Sequence, residues 1–107
     1  MTKEQKDRLI KTIEDKGVCK DVYIKENQCC VIGYMLLDAG MSKERIAELS
    51  YYIDTENTKV DVPIEIVVEF VTLLRTEYEL EVEQLIQLQE ENDMLLIDSL
   101  IETINKL

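Results

Sequence analysis

Histidine and tryptophan are absent from this chain, and proline and glycine are scarce: one Pro and three Gly in 107 residues. Each shortage excludes something. Without histidine there is no Ser–His–Asp triad and no Cys–His pair. A zinc site would have to be built from three cysteines, two of them adjacent, which does not supply four tetrahedral ligands. With so few breakers, long loops are not favoured, and the many Leu, Ile, Glu and Lys residues favour helix. No Gly-rich phosphate loop and no EF-hand spacing occurs. The longest uncharged apolar run, Cys29 to Leu37, is far shorter than the ~20 residues that span a bilayer. Residues Met1 to Asp7 carry charge with no apolar stretch after them, so no signal peptide is expected. The expected compartment is the cytoplasm, with no membrane contact.

Basic residues are missing from one half only. Residues 1–60 hold 11 acidic and 10 basic side chains, whereas residues 61–107 hold 12 acidic and two basic ones, Arg75 and Lys106. Nearly all of the net charge of −11 therefore belongs to the second half. Binding to nucleic acid requires Lys and Arg to neutralise phosphates. Direct contact with DNA, RNA or anionic membranes is excluded for that half.

The odd cysteine count (Cys19, Cys29, Cys30) argues against a disulfide framework. In apolar surroundings these thiols read as core filling, with raised pKa rather than nucleophilic character.

With 46% hydrophobic residues the chain can bury one core, and the expectation is a single helical domain over 1–107. The fold class is all-α: a compact bundle of about five to six helices, the second and fourth central. Thr2 and Gln5 have capping-box spacing ahead of a helix over Lys3–Lys16, with Gly17 as its left-handed terminator. Val22 and Ile24 alternate with polar neighbours, which fits a loop or one short strand. Gln28–Ala39, ended by Gly40, is apolar round its whole circumference and predicts a buried helix. Ser42 caps a short third helix with Ile46, Ala47, Leu49 and Tyr52 inward, and Asp54–Asp61 reads as a loop. A fourth helix starts near Pro63 with a wide apolar arc through Tyr78. Glu77–Glu83 alternates strictly but, lying between helical patterns, reads as a turn into a fifth helix over about Glu81–Glu90, with Val82, Leu85, Ile86 and Leu88 apolar. A sixth runs from Met94 to Lys106, capped by Asn92 or Asp93, with Leu96, Ile97, Leu100, Ile101 and Ile104 on its apolar side. An uncovered face of the sixth or fourth helix would suit a homodimer.

No catalytic residue, metal ligand or cofactor is assigned. Glu65/Glu69 and Asp98/Glu102 have the spacing to share a magnesium ion, but a phosphate substrate would also need basic clamps. The sharper feature is like charge. Glu77/Glu81 and Glu79/Glu83 are i,i+4 pairs that cost ~0.2–0.5 kcal/mol each on a helix. Glu77, Glu79, Glu81, Glu83, Glu90, Glu91 and Asp93 are accordingly expected to form an acidic surface for a basic protein partner, including a nucleic-acid-binding one.

From Cys29 onward the chain resembles a loose class of short phage and prophage proteins. The likeness lies in Cys29-Cys30-Val31-Ile32-Gly33, the glycine at Gly40, the Tyr78-Glu79-Leu80 turn, the Leu88-Gln89-Glu90-Glu91-Asn92-Asp93 helix end and Ile97, Ile101 and Ile104. It departs from the pattern at Glu79, where a turn glycine is usual, and after Asp93, where no glycine follows. The resemblance implies a mobile-element origin and, by analogy with acidic anti-CRISPR proteins, inhibition of host machinery.

Overall fold

The computed structural model describes residues 1–19, 24–25, 28–54 and 64–107. Of the expected loop Asp54–Asp61, Asp54 is instead the last residue of a helix and residues 55–61 lie outside the described residues, as do Val22 and the side chains of Leu49, Tyr52, Ile64, Ile66 and Val67. Among the described residues the fold is all-α. Helix α1 (Lys3–Lys16) precedes two-residue strands β1 (Ile24–Lys25) and β2 (Gln28–Cys29); then come α2 (Val31–Asp38), α3 (Lys43–Asp54), α4 (Ile64–Tyr78), α5 (Val82–Asp93) and α6 (Ile97–Asn105).

The capping box of α1 is formed. Thr2 Oγ1 accepts from the Gln5 amide, and Gln5 Oε1 accepts from the Thr2 amide. At the other end Gly17 has φ +72°, and its N–H donates to the Ile13 carbonyl. Its ψ of −173° is not that of the left-handed helix, so the chain leaves extended rather than curling back.

The helix expected from Gln28 begins instead at Val31. Gln28 and Cys29 pair antiparallel with Lys25 and Ile24, and the Cys29 carbonyl accepts from the Cys19 amide. The Gln28 side chain donates to the Lys16 carbonyl (2.7 Å), closing the C-terminus of α1. Cys30 is then the N-cap of α2, its Sγ accepting from the Gly33 amide. Every residue from Val31 to Leu36 is buried, as a helix apolar all round requires. Gly40 closes α2 in a Schellman motif: its N–H donates to Leu37 and that of Met41 to Leu36.

Helix α2 is the hub, touching α1, α3, α4 and α5. Helix α4 reaches the centre through Leu74 and Tyr78, while Val68, on the wide apolar arc of that helix, is 56% exposed. The Tyr78 hydroxyl donates to the Met35 carbonyl (2.7 Å) and lies 3.1 Å from Asp38 Oδ2. Arg8 closes on the same carboxylate with both Nε and Nη2. These contacts, the Arg8 hydrogen bond foremost, hold the Asp38 carboxyl below its ordinary value of 3.8. A folded pKa below the unfolded one means that the lock stabilises the protein at neutral pH and fades as pH falls through the acid range. In α3, Ser42 caps and Ile46 is buried as expected, but Ala47 faces solvent.

The last two helices differ most from expectation. Helix α5 runs to Asp93 rather than Glu90, and α6 starts at Ile97 rather than Met94. Asn92 does not cap α6. It lies inside α5, fully buried, where its Oδ1 accepts from the Val31 amide (2.7 Å) and its Nδ2 donates to the Cys19 carbonyl (2.9 Å). The α5–α6 corner is a Schellman motif with Leu95 (φ +56°) in the position that favours glycine; Leu95 N–H donates to Asn92 and Leu96 N–H to Glu91. Leu96 is consequently exposed rather than inward. Leu100 and Ile104 of α6 are buried, and Ile97 and Ile101 are half-buried against the core.

Removing the Asn92 side chain leaves the buried Val31 N–H without its acceptor, at ~1–3 kcal/mol, and takes a further hydrogen bond from the Cys19 carbonyl. Asn92→Ala is expected to lower unfolding stability by about 2–4 kcal/mol in urea titration; a loss below about 0.5 kcal/mol would contradict this bridge. Glu79, the residue after α4, has φ +55° and an exposed side chain. A left-handed non-glycine residue costs roughly 1–2 kcal/mol, so Glu79→Gly is expected to raise the thermal midpoint, and a lower midpoint would count against strain there.

Candidate partner-binding surface

The seven acidic residues do not form one face. Glu83 and Glu90 are seven residues apart on α5, two turns along one side, and Asp93 follows close to the same line. All three are exposed. Glu79 and Glu81 stand at the α4–α5 turn, also exposed. Glu81 begins α5, its N–H donating to Gln84 Oε1. Glu77 sits on the flank of α4 toward α1, where its carbonyl accepts from Gln5 Nε2 (2.9 Å).

Glu91 is the exception. It is half-buried, and its Oε1 accepts from Ser99 Oγ (3.2 Å) and Thr103 Oγ1 (3.0 Å). This carboxylate clamps α6 to α5 and does not belong to the outward set. The physical reason is its wheel position, one residue and about 100° beyond Glu90, which turns it toward α6.

Among the described residues no Lys or Arg neutralises Glu77, Glu79, Glu83, Glu90 or Asp93 within 4.0 Å; only Glu81 has a distant partner, Arg75 at 4.0 Å. The magnesium-spaced pairs are compromised: Glu69 is bound by Arg45 (2.6 Å) and Glu102 by Lys106 (3.2 Å). No cluster of three metal-ligating side chains occurs among the described residues.

Beside the acidic line of α5 lies an apolar groove of about 210 Å³ between α4 and α5. Ile32, Leu74 and Leu85 form its floor, Phe70 and Val71 one wall, Val82 and Ile86 the other. Val82 is 43% and Ile86 53% exposed. It meets a more polar notch of about 460 Å³, lined by Thr72, Arg75, Thr76, Glu79 and Glu81, at the shared residue Val71. Sequence reasoning assigned Val82 and Ile86 to the apolar side of their helix without separating them from the core. The available signal was arc width: Ile86 and Leu88 lie about 160° apart on the wheel, too far for both to face one neighbour.

All three cysteines are buried. Desolvation pushes the Cys29 thiol up to about 11 and the Cys30 thiol up to about 12. Neither Cys29 nor Cys30 offers a thiolate at neutral pH. No helix among the described residues is long and apolar enough to cross a membrane. Compared with protein families, curated proteins and solved structures, the chain matches none.

At pH 8 a thiol of pKa about 11 is ~0.1% ionised. A disulfide reagent such as DTNB is therefore expected to leave Cys29 and Cys30 unmodified in the native protein and to titrate them on denaturation. Rapid stoichiometric reaction of the folded chain would overturn the burial described for them.

Proposed function

We propose that this chain is a non-enzymatic, acidic protein-binding module that docks on a basic surface of a partner protein and blocks it. The observation that carries the reading is the unneutralised line Glu83, Glu90 and Asp93, continued by Glu79 and Glu81 at the adjoining turn. Glu90 and Asp93, three apart on α5 with no base beside them, are a like-charge pair that costs folding energy an interspersed surface would not, and a cationic partner returns that energy on binding. The resemblance to phage and prophage proteins supports a host protein as the partner, in the cytoplasm, and a nucleic-acid-binding surface as the natural source of its positive charge. Inhibition in the manner of an anti-CRISPR protein or a nucleic-acid mimic is the corresponding biological role.

A homo-oligomer is the second reading, favoured by the exposed Met94, Leu95 and Leu96 at the α5–α6 corner.

The test is a pull-down from the native host at low and at physiological salt, repeated with Glu79→Lys/Glu83→Lys. Capture is expected to weaken on the order of tenfold with added salt and to fail with the double variant. Capture indifferent to both would remove the electrostatic reading. Sedimentation at micromolar concentration addresses the second reading, for which a dimer is the expected species.

A further inference from the structure

We infer that the element of the partner seated on this surface is a basic amphipathic helix, its apolar stripe lying in the α4–α5 groove and its Lys and Arg residues against the α5 carboxylates. The inference rests on the acidic-docking reading and specifies its ligand.

The shape of the groove points to a helix. Its α4 side carries Val71 and Leu74, at i,i+3, and its α5 side Val82 and Ile86, at i,i+4. Side chains spaced three and four apart on a third helix interdigitate with such ridges. A strand would instead need a free sheet edge to pair with, and neither wall of the groove is a strand. Size also discriminates. At about 210 Å³ the groove is smaller than the roughly 300–1,000 Å³ of small-molecule sites, so it suits inserted side chains better than a whole ligand.

Charge selects the partner. Glu83, Glu90 and Asp93 run along the outer margin of the α5 wall, and no base neutralises them among the described residues. A second copy paired about a two-fold axis would bring the same carboxylates to the same groove, with Arg75, among the described residues, as the cation lining the adjoining notch. Juxtaposed like charges penalise that arrangement. A helix with apolar residues on one side and Lys or Arg beside them satisfies both the apolar floor and the acidic margin.

The experiment uses a labelled Leu/Lys peptide of about 16 residues, long enough at 1.5 Å per residue to lie beside α4. Its leucines follow i,i+3,i+4,i+7 spacing. A control of identical composition has the leucines permuted so that no stripe forms. Anisotropy titration of the full chain is expected to show the striped peptide binding at least about tenfold more tightly. Ile86→Ser, at a position more than half exposed and therefore tolerant of change, is expected to erase most of that preference. Glu83→Gln/Glu90→Gln is expected to weaken both peptides alike. Equal, salt-sensitive binding of the two peptides overturns the groove inference and leaves the acidic-docking reading standing. Binding of neither overturns both. A micromolar dimer that Ile86→Ser dissolves puts a second copy in the groove and overturns the inference.

Discussion

The first N–H of a buried helix has no partner within its own helix and no access to water. In this protein that group belongs to Val31, at the head of α2, and the Asn92 carboxamide accepts from it across 61 residues of sequence. The same side chain donates to the Cys19 carbonyl. One amide thus ties together the start of the central helix, the segment leaving α1 and the last turn of α5. An amide suits this place because it presents an acceptor and a donor side by side without a charge. A carboxylate would put negative charge against a carbonyl, and an apolar residue would offer neither backbone group a hydrogen bond. The arrangement allows α2 to be apolar on every side and still have its N-terminus satisfied in the core.

Around that hub the remaining polar contacts secure the ends of elements. Gln28 closes α1, the Cys30 thiol caps α2, Ser42 caps α3, and Tyr78 carries the end of α4 onto the Met35 carbonyl. Charge enters this frame sparingly, chiefly as Arg8 on Asp38 at its margin. The consequence for function is that several carboxylates in the second half, Glu79, Glu83 and Glu90 among them, have no ion-pair partner among the described residues. Glu91 has a structural task, clamping α6. Glu79, Glu81, Glu83, Glu90 and Asp93 stand at the solvent side of α5 and of the turn before it, next to an apolar groove that the described residues leave open.

Several expectations failed together for one reason. Helix ends were sought at glycines and N-cap residues, and Gly17, Gly40, Thr2 and Ser42 did mark ends. The two later ends are made by Glu79 and Leu95 at positive φ, with no local signal in either residue type. Missing the second of these placed Asn92 at the start of α6 rather than inside α5. It also put Leu96 on an inward face and left α5 three residues short. Likewise Gln28 and Cys29 read as helix from their apolar neighbourhood, while pairing with Ile24 and Lys25 and with the Cys19 amide drew them into a short ladder.

What the chain determined by itself was periodic or additive. Apolar spacing and scarce breakers made it all-helical, an all-round apolar stretch made α2 the buried hub, and summed charge made the second half acidic. Those properties survive any arrangement of the helices. Tertiary structure decided what depends on which faces meet: that Asn92 serves α2 rather than α6, that Glu91 turns inward while Glu83, Glu90 and Asp93 stay outside, and that Val82 and Ile86 border an open groove instead of the core. A helix wheel states which side chains share a face. Only packing against a particular neighbour determines which faces lose their water.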